Sequence, residues 1–148
     1  MLREEVNAKK LPPVKQRLPE NPLVVVMDGK TAELGQHGGT LNMLIGRARD
    51  VRMLVVNGYA RLVGYDRSLN VVPDILESMD AKEDRIFTMK LRKGHRWSDG
   101  QPFTTDDFRY FWDDVASEKD LSPAGPPAEL LVDGVGPKIE YLDKWTVR

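Results

Sequence analysis

The chain has 148 residues, 41% of them hydrophobic and 30% charged, with a formal net charge of −1. That is enough for one domain with a modest core, and too little positive charge to hold nucleic acid or an anionic membrane by bulk electrostatics. The absence of cysteine excludes disulfides, thiolate metal sites and cysteine nucleophiles.

Residues 1–22 are charged and carry Pro12, Pro13, Pro19 and Pro22, which oppose regular helix and central strand. An extended, Pro-rich arm is expected over 1–37. Within it, Leu23–Met27 is a short apolar run suited to an edge strand, and a Gly-containing loop follows. Gly38 to Gly46, GGTLNMLIG, has the composition of a buried strand. Asp50 is placed to cap a helix over Val51–Leu62, with Gly64 as its stop.

Tyr65 to Val72 predicts a turn between two short strands, with Asp66-Arg67-Ser68 at the tip. Asp74–Ser78 suits a single helical turn. Ser78–Lys82 and Arg85–Arg92 predict a hairpin around Glu83-Asp84. In the second arm Phe87, Met89 and Leu91 alternate with Thr88, Lys90 and Arg92, so one face is apolar and the other polar. Ser98-Asp99-Gly100 supplies turn chemistry. Thr104 or Thr105 caps the next helix, and Asp106 and Asp107 complement its dipole. Phe108, Phe111, Trp112 and Val115 then form a stripe at helical spacing. Ser117 to Ala128 is a Pro/Gly-rich loop, and Lys138–Tyr141 pairs with Trp145–Val147 around Asp143-Lys144.

Few residues here suggest catalysis. His37 and His95 are the only histidines, and neither has the neighbouring ligands a metal site needs. Asp106, Asp107, Asp113 and Asp114 suit a helix start and a solvated face, with Arg109 in reach of Asp106 or Asp113. Neither a nucleophilic triad nor a phosphate loop is present. No catalytic residue, metal or cofactor is therefore assigned. The ligand-binding candidates are Arg47, Ala48, Arg49 and Asp50. They form a loop after one element and before another, where open α/β sheets commonly place ligands. Arg47 or Arg49 can hold a carboxylate in a two-pronged hydrogen bond. Tyr59 is a further candidate for the wall of the same cleft.

The run LRKGHRWSDGQPFTTDDF resembles the signature of the family 5 extracellular solute-binding proteins: Leu91 to Gly94, Trp97, Asp99, Gly100, Pro102, then Thr104 with Asp107. The upstream GYARLVGYDRSLNVVPDILESMDA, with Pro73 and Glu77-Ser78, is similar to the same family. The resemblance implies a mixed α/β (α+β) chain forming the N-terminal part of a type II periplasmic-binding-protein-like fold, a small mixed sheet with flanking helices. Residues 38–148 would be a partial solute-binding domain, containing the first large-lobe strand and the small subdomain after it. The Gly38-Gly39-Thr40-Leu41 run would lead into a ligand-facing loop, here Gly46–Asp50. The implied function is non-catalytic: binding a peptide or similar small solute in the periplasm and delivering it to an ABC permease in the membrane. Met1–Lys10 lacks the apolar core of a signal peptide, so a leader removed from a longer protein is expected. A fragment of such a protein would expose apolar surface that favours a homodimer. The alternative is a non-catalytic solute-sensing or protein-interaction module of the same fold.

Overall fold

The hairpin expected around Glu83-Asp84 is the middle of the observed sheet. In the computed structural model, which describes residues 3–30, 33–36 and 38–148, β3 (Leu76–Lys82) pairs antiparallel with β4 (Ile86–Leu91). The turn between them takes positive φ at two non-glycine residues, Glu83 (55°) and Asp84 (49°), and Arg85 N donates to Lys82 O across it. This is the handedness that matches the twist of the flanking strands. Strand β3 begins at Leu76, so the helical turn expected over Asp74–Ser78 does not form. Leu76 instead faces Leu91 in the ladder, and both side chains are fully buried. Burial of that apolar pair outweighs the local turn preference of Asp74.

Strand β6 (Thr146–Val147) adds to the other side of β4, and β5 (Tyr141–Asp143) adds to β6, giving the order β3-β4-β6-β5. Leu91 N donates to Trp145 O at 2.8 Å, extending the central pairing past the short strand. A separate two-stranded sheet, β1 (Val63–Tyr65) with β2 (Val71–Pro73), forms around the expected Asp66 turn. There the Asp66 carboxylate accepts hydrogen bonds from Ser68 N, Asn70 N and Asn70 Nδ2. Those donors hold its carboxyl below the ordinary range, with the Asn70 side chain contributing most. Gly64, expected to stop a helix, lies inside β1. The carbonyl of Leu62 accepts from both Asp74 N (3.0 Å) and Leu76 N (3.2 Å), joining the small sheet to the large one.

The helix after the Asp99-Gly100 turn starts as expected. Thr104 is its N-cap: Asp106 N donates to the threonine hydroxyl, and Thr104 N donates to the Asp107 carboxylate at 2.7 Å. Such a reciprocal cap stabilises a helix by about 1 kcal/mol. Asp107 also accepts from Trp97 Nε1 at 2.9 Å, so one carboxylate fixes both the helix start and the preceding turn. The buried Thr105 donates its hydroxyl to Asp143 O, tying the helix to β5.

Beyond α4 (Thr105–Arg109; the three earlier helices are given below) the helix widens into a π-helical segment, Tyr110–Ala116. The hydroxyl of Ser117 caps Trp112 O, and that of Ser122 caps Val115 O. Widening alters the angular spacing of the predicted stripe. Phe111 is consequently 45% exposed, while Trp112 keeps contact with the chain at Gly136.

The N-terminal elements differ most from expectation. Two short helices, α1 (Arg3–Asn7) and α2 (Val14–Arg17), flank the Pro12-Pro13 pair where an extended arm was expected. Proline is tolerated just before and within a first helical turn. Leu23–Met27 and Gly38–Gly46 are irregular and exposed, not strands; Leu44 is fully exposed. A strand requires a hydrogen-bonding neighbour, and neither run has one among the described residues. The predicted helix over Val51–Leu62 appears as a 3-10 helix, Ala48–Leu54, followed by the single turn α3 (Val55–Gly58). Gly58 is a poor helix former, and Tyr59 already has extended backbone. His37 lies outside the described residues.

By internal contacts the chain forms two compact units: residues 1–17 with 23–61, and residues 18–22 with 62–148.

Candidate functional site

The loop proposed from sequence lies in the first unit. Its backbone is organised by Asp50, which occupies the third position of the 3-10 helix and not the cap position expected. Arg47 N donates to Asp50 Oδ2 at 2.9 Å, and Asp50 N donates to Arg47 O at 2.9 Å. Arg47 itself is extended, with φ −146° and ψ 151°. One oxygen of the Asp50 carboxylate is thus engaged by the chain's own backbone. Arg47, Ala48 and Arg49 are exposed, and Asp50 is partly covered. Tyr59 follows α3 and has its ring edge in solvent, at 72% exposure. Chemically the loop presents two guanidinium forks and no opposing free acid.

A second concavity belongs to the other unit and was not assigned from sequence. It is a cleft of about 920 Å³ between the sheet and the α4/π-helical segment. Phe87 and Met89 of β4, Phe108 and Trp112 of the helix, and Ile139 and Val147 line it. Both faces were legible as apolar patterns. What the patterns could not convey is that they do not close on one another: Phe87 remains 44% exposed and Phe111 45%. Arg85, Lys138, Glu140 and Arg148 stand at its edge.

At that edge Glu140 accepts from Lys138 Nζ at 2.6 Å and from Arg148 Nε at 2.9 Å. The Lys138 ammonium, then the Arg148 guanidinium, lower its carboxyl from 4.5 to about 2. A depressed carboxyl contributes stability that is present above its unfolded value and is lost as pH falls through its folded value. Thermal midpoints should therefore decline between about pH 5 and 2, and Glu140→Gln should flatten that decline. An unchanged slope in a pH series of melting curves would refute a role for this cluster. Glu77 beside Lys90 and Asp143 at the β5 turn are shifted the same way and should keep part of the slope.

The remaining polar residues have structural partners or none. Arg109 lies 3.7 Å from Asp106, a solvated pair. Among the described residues, no group of three His, Cys, Asp or Glu could hold a metal ion. His95 Nε2 is buried without a hydrogen-bond partner, and burial, then Arg92, lowers its pKa, favouring neutral imidazole. Trp97 packs edge-on against Phe103, with centroids 5.2 Å apart, so it serves its turn and does not line the cleft.

Comparison with known proteins places this geometry. Residues 70–148, more than half of the chain, match the model of bacterial extracellular solute-binding proteins, family 5 Middle. The periplasmic alpha-galactoside-binding protein of Rhizobium meliloti (strain 1021) is 30% identical over 162 aligned residues, covering 96% of this chain and 23% of its own. The solved structure of the oligopeptide-binding protein OppA superposes with a TM-score of 0.78 at 35% identity, over 99% of this chain and 22% of that one. The periplasmic binding protein MelB of Agrobacterium fabrum C58, solved with stachyose, superposes with a TM-score of 0.66 at 27% identity, over 99% and 25%. The chain thus spans about a quarter of the length of these relatives. The match begins at Asn70 and runs through the hairpin, the Trp97 turn and the Thr104 cap, and on these residues the chain belongs to the family 5 bacterial extracellular solute-binding proteins.

Proposed function

We propose that this chain serves as a solute-binding component of an ABC importer, taking a peptide or similar small solute in the periplasm for delivery to a membrane permease. The observation that carries the reading is superposition of 99% of the chain on an oligopeptide-binding protein at a TM-score of 0.78. The chemistry agrees with it. At the apolar cleft Glu140 is engaged by Lys138 and Arg148, whereas Arg47 and Arg49 of the loop stand exposed. In this reading Arg47–Asp50 meet the solute and Tyr59 forms part of the wall.

Since the chain spans about a quarter of its relatives' length, affinity is expected in the millimolar range, which amide chemical-shift titration detects. Trialanine or stachyose should move the Gly46–Asp50 and Tyr59 amide signals. If neither solute moves any amide at millimolar concentration, the reading falls.

A further inference from the structure

We propose that Arg47 and Arg49 form a recognition pair for an anionic group, and that the solute held at this loop carries a carboxylate. The inference rests on the reading of the loop as the solute site and goes on to name the solute's class. Three features of the loop support it.

The first is charge. Residues 46–52, GRARDVR, hold three arginines against one aspartate, in a chain whose formal net charge is −1. The second is the fate of that aspartate. Asp50 Oδ2 accepts from Arg47 N at 2.9 Å, so one of its two oxygens is turned onto the backbone of the loop. The third is that Arg47 and Arg49 are exposed, and among the described residues neither takes part in an ion pair. Guanidinium hydrogen bonds to carboxylate are charge-assisted and run in parallel pairs. A neutral oligosaccharide would leave both cations without a counter-charge, whereas a peptide's terminal carboxylate would supply one. Ala48, between them, adds no bulk or charge.

The test compares trialanine with trialanine amide, which differ at one terminal group, with stachyose and inorganic phosphate as further probes on the 148-residue chain. The readouts are backbone amide shifts and the Arg Nε–Hε signals. The free acid should bind about tenfold more tightly than the amide at low salt. It should move the Nε–Hε signals of Arg47 and Arg49, and lose that advantage in Arg47→Gln and Arg49→Gln. Preserved amide dispersion in each variant would show that the fold is intact. Equal binding of acid and amide overturns the proposal, as does a response to stachyose alone, and both outcomes leave the solute-binding role standing. A response to phosphate equal to or stronger than that to the tripeptide overturns the assignment to a carboxylate. Silence from every probe overturns both this inference and the proposed function.

Discussion

Leu91→Ala is expected to cost about 2 to 5 kcal/mol of stability, measured as a shift of the urea midpoint at unchanged slope. Leu91 is completely buried and faces the equally buried Leu76 across β3 and β4. Its backbone N–H donates to Trp145 O, so β6 is held against the same residue. Few large side chains share the burden: Leu76, Leu91 and Val147 are the largest fully buried ones among the described residues. A domain of this size has only about 5 to 15 kcal/mol in hand, so the loss should bring the variant close to unfolding at physiological temperature. A cost under about 1 kcal/mol would mean that the centre of the sheet is not the core.

Gly94→Ala is the second large effect, and its origin is backbone geometry. Gly94 has φ +91°, a region L-residues rarely adopt. A Cβ there would stand 2.6 Å from Glu20 N and 3.2 Å from Pro19 Cα. The segment 18–22 lies across this turn, held by a hydrogen bond from Glu20 N to Lys93 O at 3.2 Å. The substitution therefore costs about 1 to 2 kcal/mol in conformation and displaces the segment as well. Hydrogen exchange separates the two consequences: the Glu20 amide should lose its protection even where the sheet survives. Retained protection at Glu20 with unchanged stability would contradict the close approach.

The hairpin, the Asp66 turn and the Thr104 cap are legible in the sequence because each is local, and so is the existence of the final strand pair, although its first strand lies at Tyr141–Asp143 and not at Lys138–Tyr141. Alternation, turn chemistry and capping all act within a few residues of one another. Gly38–Gly46 was misread because composition records only that a segment would tolerate burial. Whether a neighbouring strand is there to pair with it is a matter of partners. Asp74–Ser78 failed in the opposite direction, since a preference for a turn gave way to the burial of Leu76. The π-helical widening after Arg109 had no clear signature, because Phe108, Phe111, Trp112 and Val115 fit α-helical spacing on paper. In the loop Arg47–Asp50, exposure of the two arginines follows from their charge. The role of Asp50 is not legible: its position suits a cap, whereas its carboxylate accepts from Arg47 N inside the 3-10 turn. The apolar cleft was hidden because both of its walls, read separately, look like core.

The carbonyl of Leu62 has a mechanical corollary. An oxygen that accepts from Asp74 N and Leu76 N at once uses both lone pairs at a single point, and the small sheet meets the large one there. The short connection from β2 to β3 is held from its other side as well, since Arg92 Nε donates to Asp74 O at 2.9 Å and Arg92 N to Ile75 O at 3.0 Å, so torque on the β1–β2 ribbon reaches the head of β3 through a brace of several bonds. The ribbon is thereby braced at its base and closed at its tip, where Asp66 accepts three hydrogen bonds.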